Sequence, residues 1–447
     1  MGLDRVLAAT AAYGNPETFE TFRRHLEPSW IEQALAATGR ATVRRRRLPV
    51  ETVVWIVLGI ALFRDRSIED VVSKLDLALP GGGGTIARSS ISQARARLGS
   101  EPMKWLFDRT ASAWAHASAD AHRWRGLALY GIDGSSLRVP DTEENRAHFG
   151  GQSGRNGTES GYPMARLVTL MVLRSHLLAG AHLGPYGGTH ELEHAKALRT
   201  SIPANSLTVL DRGFLAASML LGINDEDSGK NRHWLTRAKS TSKWRVVKRL
   251  GRGDDLVEMD VSSAARAKEP SLPKTWIMRA IRYHRKGFRP QTLLTSLLDP
   301  KPYPSVEIIA LYHERWELEL GYDEIKTELL DREEAIRSKT RNGVEQEIWG
   351  VLLVYNLIRL EMTAVAKEAN VEPVRISFVE SLRLIRDEWM WLAVTSPGAL
   401  PKRLAALRAN IKRYVLPPRR PKRSYPRAVK IKMSSYDRKR PTVESPK

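Results

Sequence analysis

Two short apolar runs that stop on aspartate constrain this chain more than any other feature. Leu127-Ala128-Leu129-Tyr130-Gly131-Ile132 leads into Asp133-Gly134, and Leu207-Thr208-Val209-Leu210 leads into Asp211-Arg212-Gly213. Runs this short, apolar at nearly every position, read as strands covered on both faces, which requires helices above and below a sheet. Arg166 to Leu173 is a further strand candidate and Phe214 to Ile223 a helix, so strands alternate with helices and the fold class is α/β. In such sheets ligands gather at the carboxyl ends of strands. Two carboxylates held there would make a hard-oxygen site suited to Mg²⁺ or Mn²⁺ rather than zinc. An ordinary Asp-Gly strand exit is the alternative for each taken alone.

The flanks read differently. Residues 1–122 are helical in pattern, as expected of a DNA-binding region. Ser67 caps Ile68 to Leu75, Pro80 and Gly81 to Gly84 end that stretch, and Ser89 or Ser90 caps Ile91 to Leu98. Arg95 and Arg97 suit a helix lying against DNA, with Arg44-Arg45-Arg46-Arg47 on its flank; an amphipathic helix beside a solvated charge run is the other reading. The α/β core occupies 123–238. Residues 239–294 interrupt it with Trp244 to Val247, Leu256 to Met259 and Trp276 to Arg279, which read as antiparallel strands of an insertion. A long helical pattern from Tyr303 to Leu330 completes the core within 295–332. Two more helices, Val344 to Ala369 and Ser377 to Ala393, fill 333–400. Pro397 ends regular structure, so 401–447 is expected to be a disordered basic tail.

Charge locates the partner. Of the 71 basic and 50 acidic residues, Lys402 to Lys447 holds a net +14 and Lys239 to Arg289 a net +9, so these two segments carry the whole excess of +21. That is a localised footprint for a polyanion. With no cysteine, disulfide scaffolds, thiolate metal sites and cysteine nucleophiles are excluded. The apolar run Val53 to Phe63 is too short to span a bilayer, and Asp4 and Arg5 stand where a signal peptide would begin, so a cytoplasmic, nucleoid-associated protein is expected, with no membrane partner.

The segment Leu311 to Lys326 connects the aspartates to chemistry. At about 100° per residue, Tyr312, Arg315, Glu319 and Lys326 fall within a stripe about 60° wide, presenting phenol, guanidinium, carboxylate and ammonium together. Pairing of Arg315 with Glu319 at i, i+4 would also explain two of them. Asp133 in Ile-Asp-Gly, Asp211 in Leu-Asp-Arg-Gly-Phe, and Tyr312-x2-Arg315-x3-Glu319-x6-Lys326 resemble the DDE triad and Tyr-Arg-Glu-Lys signature of bacterial insertion-sequence transposases of the IS-four group. Ser89 to Gly99 is also similar to that group's N-terminal domain.

The resemblance implies an RNase H-like catalytic core interrupted by a β-rich insertion, with helical N- and C-terminal regions. It implies a cut-and-paste DNA transposase using two Mg²⁺ (or Mn²⁺) ions, bridged by Asp133 and completed by Asp211 and Glu319. Its partners would be double-stranded DNA, meaning element terminal inverted repeats and target, held by at least a homodimer in a synaptic complex. Tyr312, Arg315 and Lys326 would position phosphates, with Arg212 beside Asp211 as a further contact. If the basic segment stacks an unpaired base, Trp244 or Trp276 must do it; packing a small β core is the plainer role of either. Two rivals stand beside this reading. His190-Glu191-x-x-His194 matches a zinc metallopeptidase motif, although it follows Gly187-Gly188-Thr189, lacks a third ligand and leaves the two basic segments unexplained; Glu191 is expected near the metal site, with no role assigned. A non-catalytic DNA-binding regulator would use the helix from Ser89 to Leu98. Truncation after Leu416 should flatten the salt dependence of DNA binding, because each neutralised phosphate releases counterions; an unchanged slope would make the tail a solubility device.

Overall fold

The computed structural model describes residues 26–41, 48–74, 87–153, 159–188, 190–224, 229–285, 289–331, 336–392 and 399–418. Arg44 to Arg47, the Gly81 to Gly84 stretch and the tail from residue 419 lie outside them. The N-terminal helices are α1 (Pro28–Ala37), α2 (Val50–Leu62), α3 (Ile68–Lys74), α4 (Arg88–Leu98) and α5 (Glu101–Asp120). Next come β1 (Ala128–Arg138), α6 (Glu143–Phe149), β2 (Met164–Val172), β3 (Leu178–Pro185), α7 (Glu191–Ala197), β4 (Ser206–Leu210), α8 (Ala217–Ile223) and β5 (Arg232–Arg237). The basic segment contributes β6 (Arg245–Gly251), β7 (Asp254–Asp260), α9 (Ser263–Lys268), β8 (Thr275–Tyr283) and β9 (Gln291–Thr295). Helices α10 (Ser305–Tyr312), α11 (Trp316–Asp323), α12 (Arg341–Ala369), α13 (Phe378–Leu392) and α14 (Leu400–Ile411) complete the chain.

Nine strands form one mixed sheet in the order β3-β2-β1-β4-β5-β9-β8-β7-β6. Strand β2 runs antiparallel to both β1 and β3, while β1, β4 and β5 run parallel. The basic strands therefore do not form a body apart: β9 pairs with β5, and the antiparallel strands of 239–294 extend the core sheet outward. Strand alternation divides the core between two faces. Leu129, Leu137, Leu207 and Val209 pack with α2, α5 and α12, whereas Tyr130, Ile132, Leu210 and Trp234 pack with α7 and α8.

Helix α12 passes by length and composition as a membrane span, yet most of that stretch is buried, against α2, α5 and the sheet, and it is the central core helix.

Several expectations shift. Strand β1 does not stop at Asp133, because the nine-residue β2 continues to pair with it as far as Arg138 after the five-residue β4 has ended. The helix expected from Phe214 starts at Ala217, after a tight turn at Arg212–Phe214 and an extended Ala216. Ser67 accepts a hydrogen bond from Asp70 N at 3.1 Å and caps α3, but α4 begins at Arg88, so Ser89 and Ser90 sit inside its first turn. Regular structure does not end at Pro397: α14 buries Leu404, Leu407 and Ile411, a helical stripe hidden by the surrounding lysines and arginines, so disorder from residue 401 is corrected.

Buried polar ties fasten the N-terminal helices to α12. Arg64 donates to Glu347 at 2.5 Å, and the same carboxylate accepts from Arg337 N, Ser338 N and Ser338 Oγ. Arg95 Nε donates to Gln346 Oε1 at 2.9 Å, and Gln346 Nε2 donates to the Arg95 and Gly99 carbonyls. Arg95 is thus committed to helix packing and cannot serve as the DNA contact expected of it, whereas Arg97 is exposed. Glu347→Ala, which strands Arg64 in the interior, should destabilise the protein by about 3–5 kcal/mol, while Asp70→Ala at the half-exposed Arg66 pair should change it by about 0.5 kcal/mol or less; denaturant midpoints of the two variants measure the contrast.

Candidate active site where strand β4 ends

The parallel ladder between β1 and β4 ends at the pair Ile132–Leu210, so the next residue of each strand is an aspartate leaving the ladder beside the other. Asp133 stays on β1, opposite Thr169 of β2, and its Oδ1 accepts from Gly134 N at 2.9 Å. Asp211 is the first residue after β4, where its carbonyl accepts from Phe214 N at 3.0 Å. Glycines bring the helical segment 305–329 close above them. A Cβ on Gly131 would lie 2.7 Å from the Leu318 methyls, and one on Gly321 would lie 2.5 Å from Met171 Cε, so α11 can approach β1 and β2 only because both positions lack side chains.

Helix α11 carries Glu319, whose Oε1 accepts from Arg315 Nη2 at 2.8 Å, while Arg315 Nη1 stands 3.9 Å from Asp133 Oδ2. The guanidinium thus spans the gap between the two carboxylates. Tyr322, one turn on, donates to the Asp133 carbonyl at 2.6 Å and meets Thr169 Oγ1 at 2.9 Å. Lys326 donates to Ser135 Oγ at 3.2 Å and is otherwise exposed, as is Arg212. Tyr312 is buried, and that burial pushes its phenol up to about 12. The segment is not one uniform α-helix: a 3₁₀ turn at His313–Arg315 and a π turn at Glu324–Leu329 flank α11. Even so, Arg315, Glu319 and Lys326 all reach the β1 side.

Burial pushes Asp133 up to about 6, with Glu191 and Asp211 adding to the rise and the Gly134 N–H and Arg315 opposing it. Glu191 is also raised, first by burial and further by Asp211, with Arg166 opposing. Among the described residues no three His, Asp or Glu side chains converge closely enough to hold a metal ion in their present rotamers. The donors nevertheless suit a hard divalent cation in kind, since they are carboxylates on one half-buried cleft. The cation that faces Asp133 and Glu319 in this structure is Arg315.

The peptidase motif does not form. His190 is the extended N-cap of α7, so the two imidazoles do not share a helical face; His194 is buried and its Nδ1 meets His182 Nδ1 at 2.9 Å. Of the two tryptophans, Trp276 is buried at 5.5 Å from the Trp234 ring, which removes it as a base-stacking residue, while Trp244 is half-buried. Sequence reading missed Tyr322, whose only trace is its position three residues after Glu319, and placed Glu191 near the metal site without a role for it.

An α/β sheet that sets two aspartates side by side where a parallel ladder ends, beside a helix-borne glutamate, has the layout of a DDE-type nucleic-acid enzyme. Family comparison agrees: residues 125–357 match the Transposase DDE domain, and residues 16–108 match the Insertion element 4 transposase N-terminal domain. The chain belongs to the DDE transposases of insertion-sequence elements, a family that works with divalent metal ions. It is 38% identical over 413 residues to the transposase InsG for insertion sequence element IS4 of Escherichia coli (strain K12), covering 92% of each chain. A putative transposase InsZ of the same organism is 39% identical over 225 residues, covering 50% of this chain and 73% of that one. Among solved structures, piggyBac transposase in a synaptic complex with hairpin DNA is 13% identical with a TM-score of 0.43, covering 91% of this chain and 87% of that one, a likeness too slight to bear on the fold. The chain is therefore a transposase, and neither the peptidase nor the regulator reading is supported.

The raised Asp133 predicts a pH signature. A carboxyl that titrates near 6 when folded and near 3.9 when unfolded favours the folded state only while protonated, so stability falls as pH rises through that window. In EDTA, Asp133→Asn should raise the melting temperature at pH 7.5, and the gain should vanish by about pH 4; a gain independent of pH would show that Asp133 carries no raised pKa.

Proposed function

We propose that this protein cuts an insertion-sequence element out of double-stranded DNA at its terminal inverted repeats and joins it to a target. Asp133, Asp211 and Glu319 are its catalytic carboxylates. The observation that carries this reading is that Asp133 and Asp211, side by side where the β1–β4 ladder ends, share one guanidinium with Glu319: Arg315 bonds Glu319, stands 3.9 Å from Asp133 and acts electrostatically on Asp211. The β3-β2-β1-β4-β5 part of the sheet, three antiparallel strands followed by two parallel ones, supports an RNase H-like core extended by the basic strands.

Asp133, Asp211 and Glu319 would hold two Mg²⁺ or Mn²⁺ ions. When bound, such a pair stabilises the entering and leaving oxygens of in-line phosphodiester displacement. Asp133 is rigidly held by Tyr322 and Gly134, so its carboxylate is pre-oriented. Arg315, released from Glu319, can give both Nη groups to a phosphate beside the scissile bond, and Lys326 offers a point charge on the same side. Tyr312 is buried and backs Arg315 rather than reaching out to DNA. Arg97, Arg212, and Lys248 and Arg249 on β6, all exposed, would contact the duplex, with half-buried Trp244 as a further contact. Both element ends must be held at once, which favours a homodimer in a synaptic complex, working in the cytoplasm on the nucleoid.

Alanine at Asp133, Asp211 or Glu319 should abolish Mg²⁺-dependent cleavage of an element end at every DNA concentration while leaving binding nearly intact. Arg315→Ala and Lys326→Ala should instead weaken positioning, with cleavage partly restored at low salt or high DNA. Cleavage titrations at two salt levels separate the cases, and retained nicking in any carboxylate variant removes that residue from the triad.

A further inference from the structure

A fourth carboxylate approaches this centre from the other face of the sheet. Along β1, Asp133 and Ser135 turn toward α11, so Gly134 turns toward α7, whose first residue is Glu191. A Cβ on residue 134 would collide with the Glu191 carboxylate and lie 2.6 Å from its Cδ and 2.9 Å from its Cγ. Glycine removes that obstacle, and the carboxylate lies directly against the β1 backbone, one residue from Asp133. Strand β4 has ended by this level, so Asp211 stands in the opening between the faces, within electrostatic reach of both Asp133 and Glu191.

Glu191 is half-buried, and among the described residues no hydrogen-bond or ion-pair partner meets its carboxylate. Arg166, stacked at 4.5 Å on Tyr186, acts on it only at a distance. By contrast Glu193, two residues on, is exposed and paired with Lys196 at 3.3 Å. A half-buried carboxylate with no cation within hydrogen-bond reach, lying against β1 one residue from Asp133, is costly unless a cation comes to it.

We propose that Glu191 is a fourth metal-binding carboxylate of the catalytic centre, joining Asp133 and Asp211 from the face of the sheet opposite the helix that carries Glu319. The inference rests on the assignment of those aspartates as metal ligands. It also gives Gly134 a purpose beyond the strand: any side chain there would push Glu191 out of the centre while leaving all four carboxylates in the chain.

Mn²⁺ binding to the full-length, DNA-free protein tests this, followed by calorimetry and by the electron paramagnetic resonance signal of free Mn²⁺. Glu191→Gln should weaken Mn²⁺ binding by about 10- to 100-fold, the range typical of lost supporting ligands. Gly134→Ala should cause a comparable loss with every carboxylate intact, Glu191→Asp should fall between wild type and Gln, and Glu193→Gln should bind as wild type does. Circular dichroism melts establish that each variant is folded. If Glu191→Gln or Gly134→Ala binds Mn²⁺ as tightly as wild type while Asp133→Asn does not, the fourth ligand is wrong and the triad stands. If Asp133→Asn also binds normally, the assignment of the aspartates fails and the inference falls with it.

Discussion

The whole arrangement depends on where one ladder stops. Strands β1 and β4 pair in parallel only as far as Ile132 and Leu210, and because the two strands run the same way, the residues that follow emerge side by side. A β4 two residues longer would bury Asp211 in the ladder. The continuation of β1 against β2 keeps Asp133 on a rigid strand rather than on a turn, so one aspartate is fixed by two neighbours and the other by the tight turn after β4.

A second requirement is that the helix bearing Glu319 be held in register over that opening. Glycines at 131 and 321 set its distance from the sheet, and a buried ionic cluster sets its rotation. His176 Nε2 meets Glu317 Oε2 at 2.9 Å, and its Nδ1 meets Glu324 Oε2 at 3.3 Å; Glu324 is also gripped by Arg359 and accepts from Tyr355 at 2.9 Å. Burial would raise Glu324, but Arg359 and His176 hold it below the usual carboxylate range. Glu317 and Glu324 flank Glu319 on the same segment, so the cluster tethers its concealed side while Glu319 turns to the cleft. Desolvating these charges is costly, and such a cluster is better suited to fixing one geometry than to adding stability.

The basic excess divides in an unexpected way. Arg279 is fully buried, bound to Asp254 and to the Tyr303 carbonyl, Arg245 pairs with Glu258, and Arg408 pairs with Glu361. Some of the charge in the two basic segments therefore holds the sheet and the C-terminal helices together. Exposed cations in the same segments include Lys248 and Arg249 on the edge strand β6 and Lys402 on α14.

The sequence by itself determined the residue types of the centre, the α/β class and the family, because short apolar strands ending on aspartate and a four-residue signature at fixed spacing are local patterns. It also determined most helices, whose periodicity and caps are local too. It did not disclose that Arg95 is spent on Gln346, that Trp276 lies under Trp234, that a helix follows Pro397, or that Glu191 lies against the β1 backbone at Gly134. Each of these depends on partners tens to hundreds of residues away, and no pattern within one segment records which face a distant element will cover. Tertiary structure decided them because the length of β4 relative to β2, and the missing side chains at 131, 134 and 321, set how closely distant elements approach.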